Sequence, residues 1–208
     1  METLKKIVIT GGPCSGKTTG MQRIREHFEK LGWKVIVSDE TATQVMTSGF
    51  KPDIDEIPNY RFQQLILDMQ LKKEDCYEDA ARHLRRDKVL ILFDRGVMDF
   101  KAYVTRKERM FLTAFGTKEK TLRDRYDAVF HLVTAAHGAA EFYTTDNNEA
   151  RREHTIEDAI ASDRRTRAAW SSNGHLHVID NPSAEGGFDQ KMQNLINEVA
   201  KVLGEPVL

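Results

Sequence analysis

The sequence predicts an α/β protein in which five parallel strands form one sheet with helices on both faces. Five short apolar runs recur along the 208 residues, each with the length of a buried strand. The segments between them carry apolar residues three and four positions apart, which is the spacing of one helical face. The run KVLILF is apolar almost throughout, as expected of a strand that is covered on both sides. Strand, helix and strand in alternation form parallel pairs with right-handed crossovers.

The predicted elements follow in order along the chain. Strands are expected at Lys6–Thr10, Trp33–Ser38, Lys88–Phe93, Ala128–Val133 and His175–Ile179. Helices are expected at Thr18–Leu31, at Glu40–Ser48, at Asn59–Arg86 with or without a break near Glu74, over most of Met98–Tyr126, and at Thr155–Trp170. A last helix should bury Phe188, Met192, Leu195, Ile196, Val199 and Val202. The pattern shows neither repeats nor a linker, and we expect a single domain over residues 1–208.

The composition excludes several classes of function. The chain carries 31 basic and 32 acidic side chains and a net charge of −1, so no overall basic excess favours nucleic acid or an anionic membrane surface. Two cysteines form no disulfide framework, which is typical of a reducing compartment. The N-terminus lacks a signal-peptide core, and no apolar run reaches the roughly 18–20 residues that cross a bilayer. We expect a soluble cytoplasmic protein without a membrane span.

The first strand runs into a glycine-rich turn that has the pattern of a phosphate-binding loop. The residues that fit G-x-x-x-x-G-K-[ST], the P-loop or Walker A motif, are Gly11, Gly12, Pro13, Cys14, Ser15, Gly16, Lys17 and Thr18. In this motif backbone amides bind the β-phosphate, Lys17 spans the β- and γ-phosphates, and the Thr18 hydroxyl meets Mg²⁺. A plain glycine turn with a solvated Lys17 is the alternative. Because the motif follows a strand and opens a helix, we predict that these residues and Thr19 bind nucleotide.

A second carboxylate for the metal is expected at the end of the third strand. The run VLILFDRG brings Asp94 to the place of the aspartate that holds Mg²⁺ opposite Thr18; a structural cap on the next turn is the alternative. Arg95 follows directly, and its guanidinium suits a carboxylate, phosphate or hydroxyl of an acceptor molecule. A salt bridge from Arg95 to Asp99 or Glu40 is an equally good interpretation.

Acidic residues also close the second strand. Parallel strands present their C-terminal ends at one edge, where α/β sheets bind ligands, so Glu40 should face the same crevice as Lys17 and Asp94. Its carboxylate is a candidate to accept the proton of an attacking hydroxyl or to orient metal-bound water. An N-cap or first-turn charge on the following helix, supplied by Glu40 or Asp39, is the alternative.

An arginine-containing stretch after the fourth strand is a candidate lid. Phosphoryl transfer spreads negative charge over three oxygens, and arginines on a closing segment stabilise that charge and exclude water. We predict that Arg151 or Arg152 reaches phosphate. A solvated helix face is the alternative, since Glu149 and Glu153 flank this pair, and it is the preferred interpretation for the later arginines of the segment.

The segment that follows the fifth strand reads IDNP. In folds of this kind the backbone passes beside the nucleotide base at this point, which makes Asn181 a candidate for a base contact. Its tendency to form a turn before proline explains the residue equally well.

Taken together, these residues make the chain resemble the NadR-like P-loop ATPase/kinase domain family, an AAA-type ATPase grouping. It includes ribosylnicotinamide-kinase domains of bacterial NAD-biosynthesis regulators and a larger animal trafficking protein that binds nucleotide and phosphoinositide. The stretches that carry the resemblance are GGPCSGKTT, the DE that follows VIVS, LILFDRG with Asp99, EARRE and VIDN. The resemblance implies a five-stranded core like that of nucleoside and nucleotide kinases, with Gly11–Thr18 on the phosphates and Asp94 near magnesium.

Two departures from the family pattern concern the acceptor and the domain content. The loop SGFKPDIDEIPNY shows no recognisable riboside-binding signature, so the resemblance does not identify the acceptor. No further domain follows Leu208, so we expect neither an adenylyltransferase nor a lipid-binding domain.

These expectations lead to two main hypotheses about function. The first is a small-molecule kinase that transfers the γ-phosphoryl of ATP, with Mg²⁺, to a nucleoside- or nucleotide-like acceptor. The second is a nucleotide-dependent regulator or switch that binds ATP or GTP and has no small-molecule acceptor. The chain lacks an N-K-x-D motif, and D-R-G-V replaces the D-x-x-G of signalling GTPases, which disfavours the guanine form. A third hypothesis is an oligomeric mechanochemical ATPase. It is disfavoured because Arg95 occupies the position where such proteins usually have a second acidic residue.

Overall fold

A computed structural model describes residues 3–51, 57–109, 119–137, 155–172, 174–182 and 187–207. Five parallel strands form one sheet in the order β2-β3-β1-β4-β5. They are β1 (Thr3–Gly11), β2 (Lys34–Ser38), β3 (Lys88–Asp94), β4 (Ala128–Leu132) and β5 (Leu176–Ile179). All five predicted strands are confirmed. Their C-terminal ends share one edge of the sheet, and the loops that leave this edge build the candidate site.

The helices lie between the strands in sequence. They are α1 (Lys17–Lys30), α2 (Thr41–Thr47), α3 (Asn59–Arg82), α4 (Arg106–Arg109), α5 (Glu119–Arg123), α6 (Ile156–Trp170) and α7 (Gly187–Leu203), with a 3-10 helix at Asp99–Ala102. The start of α6 follows a capping rule, because the Thr155 side chain accepts a hydrogen bond from the Asp158 backbone N–H. In the described residues, no helix is both long and apolar enough to cross a membrane.

Two hydrophobic layers cover the two faces of the sheet. Alternation along β1 sends Ile7 and Ile9 into one layer and Val8 into the other. The first layer is closed by α1 and α7, through Phe28 and Leu195 among others. Helices α3 and α6 contribute to the second layer. The packing of helices on both faces fixes the position of the sheet, and therefore the positions of the residues that follow each strand.

Three parts of the chain can be compared with the predictions. In the described part of residues 98–126, most residues are helical, as predicted, but they form short separate pieces, the 3-10 helix, α4 and α5. Helix α3 is continuous, because Glu74 is buried and hydrogen-bonded rather than a break point. Phe188 is 41% exposed, although it was expected in the core. Its ring lies against Gly16, where an added Cβ would come within 2.7 Å of Phe188 Cε2.

Candidate nucleotide site

The phosphate loop connects β1 to α1 through unusual backbone conformations. Gly11 has a φ of 141° and Gly16 a φ of 90°, values that glycine adopts without a steric penalty. A Cβ on Gly11 would lie 2.1 Å from the Leu132 carbonyl oxygen, so only glycine fits beside β4. Cys14 has a φ of 52° although it is not glycine. The loop is thus held in a compact shape that places the start of α1 over the sheet edge.

The Lys17 side chain lies over its own loop. Its ammonium donates hydrogen bonds to the carbonyl oxygens of Gly11 at 3.2 Å and Gly12 at 3.1 Å. Burial, and then the neighbouring charge of Arg95, hold the pKa of Lys17 below its usual value. A nearby anion would relieve both effects, because it would stabilise the charged form. The cation is therefore placed where a phosphate group would be favourable.

Asp94 and Thr18 can be tested as ligands of a magnesium ion. Asp94 ends β3 with a carboxylate oxygen, Oδ1, that is buried and has no hydrogen-bond partner among the described residues. Burial raises the pKa of this carboxyl above its usual value, as expected of an oxygen that lacks a partner. Thr18 is exposed on the first turn of α1.

The donor set fits Mg²⁺ bound together with a nucleotide. In the described parts of the chain no cluster of three His, Cys, Asp or Glu side chains forms a metal cage. Mg²⁺ commonly uses one or two protein oxygens and completes its shell with phosphates and water. Asp94 and Thr18 match that requirement.

Glu40 and Arg95 form an ion pair at the same edge of the sheet. Arg95 Nε lies 2.5 Å from Glu40 Oε1, and Arg95 Nη1 lies 3.8 Å from Asp99 Oδ1. Glu40 Oε2 accepts a hydrogen bond from the Thr43 hydroxyl at 2.7 Å. The salt bridges considered for Arg95 in the sequence are thus present. Glu40 occupies the N-cap position of α2, but its side chain makes no capping hydrogen bond.

The electrostatics of this pair keep both groups charged. Burial alone would raise the pKa of Glu40, but the charges of Arg95 and Lys17 hold it below the usual value. Burial alone would lower the pKa of Arg95, but Tyr103 and the carboxylates of Glu40 and Asp99 raise it well above normal. Arg95 also has a φ of 66°, which is rare for a side chain of this size and typical of functional sites.

A cavity of about 240 Å³ joins these groups. Lys17, Thr18 and Asp94 line it together with Glu40 and Arg95. The remaining wall comes from α2, α3 and the 3-10 helix, with aromatic, aliphatic and amide side chains. The candidate phosphate site and the ion pair therefore open into one shared space.

Hydrogen bonds behind the cavity connect it to the protein surface. Gln70 accepts a short hydrogen bond from the Thr41 hydroxyl and donates to Glu74 at 2.8 Å. Glu74 accepts further hydrogen bonds from the Tyr126 hydroxyl at 2.6 Å and from Arg125 at 3.0 Å. Burial raises the pKa of Glu74, although these partners oppose that effect. The network fixes the wall of the cavity that α3 supplies.

Asp163 supports the phosphate loop and was missed in the sequence. This α6 residue is 6% exposed, and its Oδ1 accepts hydrogen bonds from the backbone N–H of Gly12 at 2.8 Å and of Thr134 at 3.1 Å. His131 Nε2 lies 3.2 Å from the same oxygen. The charge-rich run around it indicated a solvated face, and no local signal distinguishes this carboxylate from its neighbours.

The Asn181 side chain forms three hydrogen bonds within the protein. Its amide nitrogen donates to the carbonyl oxygens of Thr134 at 2.9 Å and His137 at 2.7 Å, and its amide oxygen accepts from Lys191 at 2.8 Å. A contact between this side chain and a nucleotide base stays a prediction. Lys191 itself was not recognised in the sequence as part of the site.

The arginines of the predicted lid are only partly described. Arg151 and Arg152 lie outside the described residues, so their contact with phosphate stays a prediction. Arg164 and Arg167 are exposed on α6, in agreement with the solvated face expected for the later arginines. Arg165 is also exposed, and it donates a hydrogen bond to the Ala102 carbonyl at 3.2 Å.

Comparison with known proteins bears on family and fold. The sequence profile of a family described as "AAA domain" matches residues 6–188. The structure is similar to deoxyadenosine kinase from M. mycoides with bound dATP, at 17% identity, a TM-score of 0.54, and coverage of 94% of this chain and 98% of that chain. The same kinase with dCMP and a flexible dCDP gives 15% identity, a TM-score of 0.57, and coverage of 94% and 99%. A search of curated proteins found no match.

These findings confirm the predicted fold class. The five-stranded parallel sheet with flanking helices is that of P-loop nucleoside kinases, and the resemblance found in the sequence agrees with the matched family. The matched family and the fold both agree with the prediction of a P-loop kinase or NTPase.

Proposed function

We propose, from the premise that this chain belongs to the AAA domain family, that it is a phosphotransferase. In this proposal it uses Mg²⁺ and a nucleoside triphosphate, with ATP as the first candidate, to phosphorylate a hydroxyl group of a small nucleoside-like acceptor. The observation that carries the proposal is the shared cavity, in which the phosphate loop and an ionised carboxylate meet. A cavity beside the phosphate loop can hold a second molecule next to the nucleotide.

The donor nucleotide would bind with its phosphates on residues 11–18 and Thr19. Lys17 would exchange its two loop carbonyls for β- and γ-phosphate oxygens. Asp94 and Thr18 would hold Mg²⁺, which would supply positive charge to offset that of the phosphates. The unpartnered Asp94 oxygen supports this assignment.

Glu40 is the proposed general base. Its pKa lies below the usual value, so at neutral pH it is a carboxylate that can accept a proton. The acceptor hydroxyl would give its proton to Glu40 while its oxygen bonds to the γ-phosphorus. The bond from that phosphorus to the bridging oxygen would break, and the nucleoside diphosphate would leave. Arg95 holds the carboxylate in place through the 2.5 Å contact.

The rest of the cavity indicates what kind of acceptor it suits. Phe62, Phe100 and Tyr103 line it, as does Gln63, an amide residue that is only 3% exposed. Aromatic walls suit a flat ring, and a buried amide suits the hydrogen-bonding edge of such a ring. A nucleoside base is a flat ring with such an edge, and the sugar linked to it carries the hydroxyl group that would be phosphorylated.

The proposal is tested by phosphoryl transfer from γ-labelled ATP to a panel of nucleosides and nucleotides. We expect label in at least one acceptor, with transfer lost in Lys17→Ala and strongly slowed in Glu40→Gln. Asp39→Asn is the matched control, because Asp39 is the exposed neighbouring acid and does not line the cavity. Nucleotide binding without transfer to any acceptor would contradict the kinase proposal and favour the alternative, a nucleotide-dependent regulator.

A further inference from the structure

Lys191 of α7 carries an ammonium group that is buried directly behind the phosphate loop. The residue is 2% exposed. Its Nζ donates to the carbonyl oxygens of Val133 at 2.6 Å and Ser15 at 2.9 Å, and to Asn181 Oδ1 at 2.8 Å. An ammonium has three N–H donors, so all of them are used. The acceptors come from the phosphate loop, the end of β4 and the loop after β5, which the lysine joins.

A buried lysine in this place calls for a physical reason. Lysine is almost never fully buried unless it is paired, and a buried ion carries a penalty of several kcal/mol. Within the described residues no carboxylate forms an ion pair with Lys191. Its neighbours Met192 and Leu195 belong to the apolar core, where a methionine of similar length would serve packing equally well. Among the residues that the structure describes, the cation thus has dipolar partners but no anionic one.

The contact with Ser15 controls the direction of the next peptide group. A trans peptide is planar, so the carbonyl of one residue and the N–H of the next point in opposite directions. Because the Ser15 carbonyl points inward to Lys191, the Gly16 N–H points outward. The outward side of this loop is the side on which backbone amides bind phosphate.

We propose that Lys191 is a positioning residue for the nucleotide phosphates. It holds the Ser15 carbonyl behind the loop, which keeps the Gly16 N–H turned toward the β-phosphate, and it supplies a positive charge whose partner is the bound phosphate. The inference rests on the nucleotide-binding half of the proposed function and not on transfer to an acceptor.

The charges around Lys191 predict how nucleotide affinity depends on pH. Burial lowers the pKa of Lys191 to about 8, against the opposing effects of Asp163 on α6 and Asp180 after β5, while Lys17 on α1 lowers it further. A bound phosphate favours the protonated form, so protonation and nucleotide binding strengthen each other. Affinity for a nucleoside diphosphate should therefore fall as the pH rises through about 8.

The test measures the affinities of ADP and AMP for the whole protein in the absence of any acceptor. ADP presents a β-phosphate to the loop and AMP does not, so the ratio of the two affinities reports the loop geometry. Lys191→Met removes the charge and the three donors, and Lys191→Gln restores a neutral donor. Lys201→Met is the matched control, because Lys201 lies on the same helix and is exposed.

In Lys191→Met we expect ADP affinity to fall roughly tenfold or more with little change for AMP. The reason is that the Gly16 N–H would no longer be held toward the β-phosphate, so its hydrogen bond to this charged group would be lost. The fall of ADP affinity between about pH 7 and about pH 9.5 should become smaller than in the wild type. Lys191→Gln should recover part of the affinity. Lys201→Met should behave as the wild type.

A folded Lys191→Met protein with wild-type ADP affinity would overturn the proposal, and so would equal losses for ADP and AMP. If neither variant folds, the wild-type pH profile decides, and an ADP affinity that stays flat through about pH 8 overturns it. Wild-type protein that binds no ADP also overturns it. ADP binding without phosphoryl transfer would contradict only the kinase proposal.

Discussion

Replacing Asp163 by alanine is expected to destabilise the protein and loosen the phosphate loop. The carboxylate accepts two backbone hydrogen bonds, from Gly12 at 2.8 Å and Thr134 at 3.1 Å. Burial alone would raise its pKa, but the contact with His131 and these two N–H groups hold the pKa below its usual value. The folded protein therefore favours the ionised form, whose Oδ1 accepts from both N–H groups.

The size of the effect follows from the number of donors left without a partner. Alanine leaves two buried N–H groups unsatisfied, at about 1–3 kcal/mol each, so the free energy of unfolding should fall by about 2–6 kcal/mol. Asparagine keeps an oxygen that can accept from both groups and loses only the charge. Asp163→Asn should therefore cost about 1 kcal/mol.

Urea denaturation of the wild type, Asp163→Ala and Asp163→Asn measures these differences. Asp158→Ala is the matched control, since Asp158 is an exposed acid on the same helix and its side chain should contribute only a few tenths of a kcal/mol, about the value of a helix-dipole interaction. Equal losses for alanine and asparagine would refute the reasoning, because the oxygen acceptor would then be irrelevant. An alanine variant within about 0.5 kcal/mol of the wild type would refute it as well.

Three further predictions concern the site and its supporting network. Lys17→Ala should abolish nucleotide affinity or turnover with the fold intact, as measured by calorimetric titration and circular dichroism; retention of both would contradict the phosphate-loop assignment. Glu40→Gln should lower the catalytic rate far more than nucleotide affinity, and an unchanged rate in a transfer assay would exclude a general base. Burial raises the pKa of Glu74, so its contribution to stability is present below the ordinary value of 4.5 and is lost as the pH rises through the raised value. Thermal melts should therefore show that the stability of the wild type relative to Glu74→Gln falls as the pH rises through this window, and a constant difference would disprove the shift.

The sheet could be predicted because its signals are local. Each strand is a short apolar run. This pattern is expected because hydrophobic layers cover both faces of the sheet and bury its strands. The glycine loop and the Thr155 cap are equally local, since both depend on neighbouring residues. The helical pieces within the described part of residues 98–126 are short, because tertiary contacts compete with helical ones at the start of this segment. Asp99 accepts from the Thr10 hydroxyl and the Gly96 N–H, which favours a tight turn over a long helix.

The residues of the candidate site likewise fall into those with a local sequence signal and those whose contacts are distant in sequence. Lys17, Asp94 and Glu40 were found from motifs and from the ends of strands, and the structure brings them to one cavity. Asp163 and Lys191 were missed because their partners lie 151 and 176 residues away. A charged residue on an amphipathic helix normally indicates a solvated face, and only the packing of α6 and α7 against the phosphate loop reverses that expectation.

The central claim is that the loop of residues 11–18 holds a nucleotide phosphate tail beside an acceptor cavity. A crystal structure with Mg²⁺ and a non-hydrolysable ATP analogue tests it most directly. We expect the β-phosphate on the backbone amides at the start of α1, Lys17 on the phosphates instead of on its loop carbonyls, and the γ-phosphate facing Glu40. A phosphate tail bound elsewhere, or a γ-phosphate directed away from the cavity, would contradict the account.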